Sequence, residues 1–133
     1  MDQKDEKILE FLKKDGRASY TEIAEEIGVS EGTVRNRVQK MQDKGVIERF
    51  TVETSGLGSE AVVMVKLETG RDIENVLADF PQGVEIKEVA GEYDLILEIE
   101  KETNTEINSV LDEIRSIEGV DSTETFMVLN SRN

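Results

Sequence analysis

The side chains best suited to chemistry in this sequence lie between Ser30 and Lys40, and the chemistry they suit is hydrogen bonding to DNA. Arg35 can donate two hydrogen bonds to guanine, and Asn36 can pair with adenine, if both reach the major groove. Hydroxyls and backbone N–H groups at the beginning of a helix, here Ser30 and Thr33, bind phosphate oxygens. The segment is therefore predicted to bind double-stranded DNA.

Local charge supports the same prediction. From Arg35 to Arg49 there are five basic residues and two acidic ones, and Arg37 and Lys40 are expected to contact phosphates. The alternative is a three-helix docking module in which Arg37 pairs with a carboxylate beside the core. The candidate DNA-binding residues are Arg17, Thr21, Ser30, Glu31, Gly32, Thr33, Arg35, Asn36, Arg37, Gln39 and Lys40.

Composition excludes several kinds of site. The chain has no Cys and no His, which rules out disulfides, thiolate or imidazole zinc ligands, Ser-His-Asp triads and cysteine nucleophiles. Metal sites made of oxygen ligands stay possible, but carboxylates are too common in this chain to indicate one, and no metal site, cofactor or catalytic residue is expected. No stretch approaches the roughly 20 apolar residues of a membrane helix, and the first residues lack the apolar core of a signal peptide. A cytoplasmic protein with no membrane partner is expected.

Charge is distributed unevenly along the chain. The net charge of −14, taken alone, disfavours nucleic acid as a partner. Residues 1–50, however, carry ten basic and eleven acidic side chains, whereas residues 51–133 carry six and nineteen. The DNA-binding candidates therefore lie in a nearly neutral part of the chain. Carboxylate-rich, lysine-poor surfaces are typical of proteins that work in high salt, so a halophilic source is one interpretation and an acidic mesophilic protein is the other.

Three helices are predicted to position the DNA-binding candidates. Apolar spacing predicts the first over Asp5–Lys14. The second is expected to follow the capping box Ser19-x-x-Glu22, and the third begins after Ser30, a good N-cap. The third should end at Lys44-Gly45, a cation followed by a C-cap glycine. An extended segment is expected over Val46–Val52.

The spacing of Ala24, Gly28 and Val34 is that of a helix-turn-helix. A small residue allows two helices to cross closely, a glycine permits the turn, and an apolar residue closes the core. The third helix would then direct Arg35 and Asn36 away from the buried side chains and toward DNA. Residues 1–50 are predicted to form this domain, followed by a linker of small residues over 51–59.

Beyond the linker, residues 60–133 alternate strand and helix patterns in the order βαββαβ. The predicted elements are strands at Ala61–Leu67, Val84–Ala90, Tyr93–Glu100 and Val120–Leu129, and helices at Ile73–Phe80 and after the capping box Thr103-x-x-Glu106. Two βαβ units make a ferredoxin-like sandwich with one sheet and two helices on one face; another α/β arrangement is the alternative. The predicted fold class is α+β, a helix-turn-helix domain followed by a ferredoxin-like domain.

The first strand of the second domain is apolar on both sides. Ala61, Val63 and Val65 alternate with Val62 and Met64, yet helices can cover only one face of the sheet. A second apolar face on a water-soluble domain calls for a partner. The simplest partner is a second copy, which gives a two-fold dimer.

Four motifs, spread over nearly the whole chain, are similar to those of one known family. They are Asp5-x-x-Ile8-Leu9-x-x-Leu12-x-x-Asp15-Gly16-Arg17, Ile23-Ala24-x-x-Ile27-Gly28-Val29-Ser30-x-x-Thr33-Val34-x-x-Arg37-Val38, Gly45-Val46-Ile47 and Gly91-Glu92-Tyr93-Asp94. With them the chain resembles the Lrp/AsnC family of bacterial and archaeal regulators, and an archaeal member is expected. The resemblance implies a winged-helix-like DNA reader and a ferredoxin-like regulatory domain. In the family that domain dimerises, stacks dimers into octamers and in many members binds amino acids between dimers.

The resemblance also implies an effector site. Its residues would be Gly91, Glu92, Tyr93, Asp94, Thr123 and Thr125, the two threonines being contributed by a neighbouring subunit. Glu92 stands where the family usually has Asp. A tight glycine turn can offer backbone N–H groups to a carboxylate, and an acid near hydroxyls suits an ammonium group. The alternative is an ordinary hairpin turn in which the Asp side chain hydrogen-bonds its own backbone.

Three classes of function remain. The first is a sequence-specific transcription regulator modulated by an amino acid or related small molecule. The second is an architectural protein that compacts DNA, which the same fold and oligomer would allow. The third is an enzyme subunit, because ferredoxin-like domains also occur in enzymes; the absence of His and Cys disfavours it.

Overall fold

A computed structural model describes residues 1–132 and divides the chain into two units, Met1–Glu53 and a second unit that begins at Thr54. The first unit contains three helices: α1 (Gln3–Lys14), α2 (Tyr20–Ile27) and α3 (Glu31–Asp43). All three are the predicted helices, and α1 begins two residues earlier than predicted. The reason is a reciprocal capping box, in which Asp2 and Asp5 accept each other's backbone N–H groups.

Local signals determine where α2 and α3 begin and end. The hydroxyls of Ser19 and Ser30 accept backbone N–H groups of their own first turns. Gly28 ends α2 with a φ of 73°, a left-handed conformation that glycine adopts without strain. The buried core of the unit consists of Ile8, Ile23, Ala24, Val34, Val38 and Met41. No strand forms over Val46–Val52, the segment predicted to be extended. The first unit therefore consists of helices alone.

The second unit is the predicted ferredoxin-like sandwich. Its elements are β1 (Ser59–Leu67), α4 (Ile73–Leu77), β2 (Glu85–Glu88), β3 (Leu95–Lys101), α5 (Asn104–Arg115) and β4 (Val120–Met127). The strands form one antiparallel sheet in the order β2-β3-β1-β4. Several elements differ from their predicted bounds: β2 lacks Val84 and Val89–Ala90, and α4 stops at Leu77 although Phe80 is still buried. β3 begins two residues later than predicted, and β4 ends two residues earlier.

Strand register assigns each residue to a face of the sheet, because directly paired residues point the same way. Val63 pairs with Leu97 and Thr125 on the covered face, which packs on the helices and holds the buried core. The opposite face, here called the open face, carries Val62, Met64, Ile96 and Phe126, and the Phe126 side chain is 50% exposed. By the same register Glu98 and Glu124 lie on the open face as well, so the second apolar side predicted for β1 is present as a strip between acidic side chains.

Candidate nucleic-acid interface and effector turn

The first turn of α3 is built around two hydroxyls. Ser30 Oγ accepts the backbone N–H of Thr33 at 3.1 Å and lies 2.8 Å from Thr33 Oγ1. Within residues 1–132, the backbone N–H groups of Glu31 and Gly32 donate no hydrogen bond. Such unpaired N–H groups at a helix N-terminus can bind a phosphate oxygen.

Arg35 and Asn36 lie on the exposed surface of α3, opposite the buried Val34 and Val38. The Arg35 side chain is 64% exposed and pairs with Glu31 one turn earlier, and its guanidinium lies 5.3 Å from the centre of the Tyr20 ring. An exposed ion pair of this kind contributes about 0–1 kcal/mol. Arg35 can therefore exchange Glu31 for a base edge at low cost.

Arg37 differs from Arg35 because it is bound to acidic residues of another helix. Its Nη1 donates to the two oxygens of Asp2 at 2.8 and 2.7 Å and to Asp5 Oδ1 at 3.1 Å. The backbone N–H of Asp5, followed by the Arg37 guanidinium, lowers the pKa of Asp2 to about 2, and the two carboxylates raise the pKa of Arg37. The alternative considered from the sequence, an Arg37–carboxylate pair, is thus present in the structure.

The remaining DNA-binding candidates are exposed. Within residues 1–132, the side chains of Asn36 and Lys40 show no hydrogen bond or ion pair, whereas Gln39 donates to Asp43 at 3.0 Å. Arg17 and Thr21 are exposed as well; Arg17 follows α1 and Thr21 lies in the first turn of α2. The side chains free for contact therefore lie mainly along one surface of α3.

In the second unit, Asp94 connects the Gly91–Asp94 turn to β1. Its Oδ2 accepts the backbone N–H of Leu67 at 2.8 Å, where the β1–β4 register shifts, and its own N–H donates to Val65 O at 2.9 Å. This bond resembles the hairpin-turn alternative, except that the side chain reaches a neighbouring strand instead of its own backbone. Asp94 has a structural partner in the single chain.

The rest of the turn is open to a ligand. Gly91 has a φ of 155°, and the backbone N–H groups of Gly91, Glu92 and Tyr93 donate no hydrogen bond within residues 1–132. The Tyr93 hydroxyl donates to Glu124, and this bond, together with burial and the nearby Glu92 charge, raises the pKa of Tyr93. Three free N–H groups beside a carboxylate suit a ligand that carries both charges.

The two threonines lie on the covered face of β4, paired with Val65 and Val63. Thr123 Oγ1 accepts from Arg115 Nε at 3.3 Å, and Thr125 Oγ1 is buried and has no hydrogen-bond partner within residues 1–132. Glu124, the partner of Tyr93, lies on the open face instead. Within one chain the structure therefore does not bring the threonines and the turn residues into one pocket.

Arg115 and Glu124 were not among the residues predicted from the sequence. Arg115 is the only cation between Lys101 and Arg132 and occupies the last turn of α5. The absence of other basic residues around it was the only feature of the sequence that could have singled out Arg115. Glu124 gave none, because it is one of many acidic residues in this part of the chain.

No helix of the described chain has the length and hydropathy needed to cross a membrane. Over the same residues, no group of three or more acidic side chains is arranged to hold a metal ion.

Two family models match the chain in the order that the units require. The model for winged helix-turn-helix DNA-binding domains matches residues 1–48, and the Lrp/AsnC ligand binding domain matches residues 60–132. The fold and these matches define a regulator with a DNA-binding domain and a ligand-binding domain. The chain belongs to the Lrp/AsnC family of transcriptional regulators.

Several relatives resemble the chain over almost its full length. It is 36% identical to the HTH-type transcriptional regulator FL11 of Pyrococcus horikoshii, over 98% of this chain and 91% of the relative. It is 41% identical to the regulator LysM of Saccharolobus solfataricus, over 98% and 95%. These two relatives are archaeal, as expected; a high-salt source stays a prediction.

Solved structures confirm the fold. Escherichia coli AsnC matches with a TM-score of 0.78 and 28% identity, over 98% of this chain and 93% of AsnC. A Neisseria meningitidis regulator, NMB0573, solved with L-Met, has a TM-score of 0.81 at 24% identity, over 100% of this chain and 92% of that one.

Proposed function

We propose that the protein regulates transcription by binding a defined DNA sequence through the exposed surface of α3. Arg35 and Asn36 would read base edges, with Gln39 beside them, while Lys40 and the N-terminus of α3 would bind phosphates. The observation that carries this proposal is the orientation of α3, which buries Val34 and Val38 and exposes these polar side chains. A regulator requires no catalytic residue, metal or covalent cofactor, and none is proposed.

The roles of Arg35 and Lys40 can be separated by experiment. Arg35→Ala should cost about 1–3 kcal/mol on the preferred site and much less on random DNA, because a base contact carries specificity. Lys40→Ala should weaken binding to both about equally. The measurement is a titration of each variant with a site selected from a random-sequence pool and with a scrambled duplex of equal length. Full site preference in Arg35→Ala would contradict the assignment, and spreading instead of a saturable footprint would indicate an architectural protein.

The second unit would bind an amino acid. The free N–H groups of Gly91, Glu92 and Tyr93 would bind its carboxylate, and Glu124, one oxygen of which accepts from Tyr93, would bind its ammonium group. The hydroxyls of Thr123 and Thr125 would come from a neighbouring subunit, as the family resemblance implies. The L-Met bound by the Neisseria regulator supports an effector of this chemical class. A thermal-shift and sedimentation screen with the twenty amino acids tests it, and a flat response to all of them would contradict it.

We also propose that two copies associate through the open face, and that dimers assemble further into an octamer. Val62, Met64, Ile96 and Phe126 form an apolar strip that the described chain leaves uncovered. A second copy of the same strip is the matching partner in a two-fold dimer. An effector that binds between dimers would change DNA affinity only as far as it favours one assembly over another.

A further inference from the structure

The ion cluster of the first unit has a geometry that DNA binding through α3 does not by itself explain. Asp2 and Asp5 begin α1 through their reciprocal capping box, with bonds of 3.0 and 3.3 Å. The same two carboxylates hold Arg37 in the middle of α3 through three bonds of 2.7–3.1 Å. This one cluster therefore fixes both the beginning of α1 and the contact between α1 and α3.

Arg37 is poorly placed to bind phosphate. Its side chain is 27% exposed and that of Asp5 is 16% exposed, whereas the Arg35 side chain is 64% exposed. Two carboxylates around one guanidinium leave the cluster with a net negative charge, which repels a phosphate at short range. Removing either partner from a partly buried pair also leaves a charge unpaired, so exchange with DNA is costly.

A cluster in this place can orient α3. The buried contacts of α3 are made by the apolar side chains Val34, Val38 and Met41. Hydrophobic attraction is non-directional, so it holds α3 against the core but specifies its rotation and axial position less sharply than hydrogen bonds do. The two N–H bonds of Arg37 Nη1, one shared by both oxygens of Asp2 and the other directed to Asp5, fix both. Base-reading side chains must be held within about 0.5 Å and 10–20° of the productive geometry.

We propose that Arg37 is a positioning residue for DNA recognition: it is clamped by Asp2 and Asp5 so that Arg35 and Asn36 meet the bases in register, and it does not contact phosphate. Lys40 has the opposite character. Both residues line a groove of about 430 Å³ beside α3, but the Lys40 side chain is exposed and forms no ion pair within residues 1–132, whereas Arg37 is held by Asp2 and Asp5. Lys40 is therefore the matched phosphate-binding control.

This inference rests on the proposed function, and its test keeps the two apart. Wild-type protein first selects a site from a random-sequence pool; failure to enrich any site would contradict the proposed function itself. Arg37→Gln, Asp2→Asn and Lys40→Gln are then titrated with the selected site and a scrambled duplex over a KCl series. Asp2→Asn removes the charge that holds Arg37 and keeps the beginning of α1, because Asn is as good an N-cap as Asp.

If Asp2 and Asp5 hold Arg37 in this way, Arg37→Gln should reduce the preference for the selected site over scrambled DNA about tenfold, and Asp2→Asn about threefold. The salt slope on scrambled DNA should not change. Lys40→Gln should keep the preference and reduce that slope by about one. A merely structural role would lower the folded fraction and weaken both duplexes equally, leaving the ratio unchanged. The proposal is overturned if Arg37→Gln behaves like Lys40→Gln, or if Asp2→Asn keeps its preference and binds all DNA more tightly.

Discussion

Asp2 in the first unit and Glu98 in the second are carboxyl groups whose pKa values are shifted in opposite directions. The pKa of Asp2 is lowered to about 2 by the N–H of Asp5 and by Arg37. The pKa of Glu98 is raised, first by burial and then by Glu85 directly across the strand pair, with Glu60 also nearby and Lys87 only partly offsetting them. In the first unit the negative charge is paired and stabilises the fold, whereas in the second unit neighbouring carboxylates repel one another.

This difference indicates where each unit is sensitive to its surroundings. The first unit is nearly neutral and its paired charges serve to orient helices. The second contains most of the acidic excess of the chain, and part of that excess lies on the open face beside Val62. Protonation, added salt or a partner of opposite charge would each reduce the repulsion between carboxylates in the second unit. None of them would reduce repulsion much in the first unit, which is nearly neutral.

The largest expected effect comes from adding one more charge to the open face. Val62→Glu would place a carboxylate between Glu98 and Phe126. If the open face is buried between copies, the dissociation constant should rise by about a hundredfold or more, because an unpaired charge would be stranded in an apolar interface. Sedimentation velocity measures this. Ser109→Glu, on the exposed side of α5, adds the same charge elsewhere; equal behaviour of the two variants would contradict the interface.

Salt should strengthen association, with a smaller effect. The Debye length falls from about 10 Å at 0.1 M to about 3 Å at 1 M salt, so repulsion between acidic second units is screened. Sedimentation across a KCl series should show tighter assembly, and site binding should persist where a basic DNA reader would be released. Steep loss of DNA binding from low salt upward would count against a high-salt adaptation.

A third expected effect concerns the buried hydroxyl of Thr125. Thr125→Val keeps the shape and removes a hydroxyl without a partner in the described chain, so the free energy of unfolding should rise by about 1 kcal/mol. Thr123→Val is the control, since it removes a hydroxyl that accepts from Arg115 and should destabilise the protein. Denaturant unfolding measures both. If Thr125 also binds the effector, Thr125→Val should lose the amino-acid response. A lower free energy of unfolding in Thr125→Val would contradict the prediction that the hydroxyl is unpaired.

The smallest expected effects are on pH dependence, and they have opposite signs in the two units. The stability that Asp2 contributes is present above pH 3.8 and lost as the pH falls toward 2. Glu98 favours the folded state when it is protonated, so its contribution is present below pH 4.5 and lost as the pH rises through its raised pKa. Asp2→Asn should lower the melting temperature of the first unit at pH 7, and Glu98→Gln should raise that of the second.

Amide NMR signals resolve the melting of each unit at pH 7 and at pH 4. The Glu98→Gln gain should disappear at pH 4, where the native carboxyl is protonated. Glu88→Gln removes the same charge from β2 and serves as its control. A gain for Glu98→Gln of equal size at both pH values would show that charge is not its cause.

The parts of the molecule that could be predicted from the sequence are those determined by neighbouring residues. The caps at Ser19, Ser30 and Thr103 mark helix starts within a single turn, and all three are present. Apolar strand and helix patterns likewise predicted the chain order βαββαβ that the structure shows. The extended segment predicted over Val46–Val52 shows the limit of this approach: it pairs with no strand, and an extended segment becomes a β-strand only where another strand pairs with it.

The partners that could not be predicted lie far away in the sequence, even where a pair was considered, as it was for Arg37 and an unspecified carboxylate. Arg37 reaches Asp2 across 35 positions, and Asp94 reaches Leu67 across 27. Nothing in the local pattern distinguishes these residues from exposed ones. The face on which Thr123 and Thr125 lie depends on the register of β4 against β1, which alternating polar residues specify only weakly.

The two edges of the sheet differ in how readily they could accept another strand. One edge is β2, only four residues long, with three of them charged. The other is β4, twice as long, with Phe126 and Met127 exposed. Short, charged edges resist strand addition, and long ones permit it. A sheet that can grow at only one edge stops after joining one other sheet, so this asymmetry protects the protein against open-ended fibril formation.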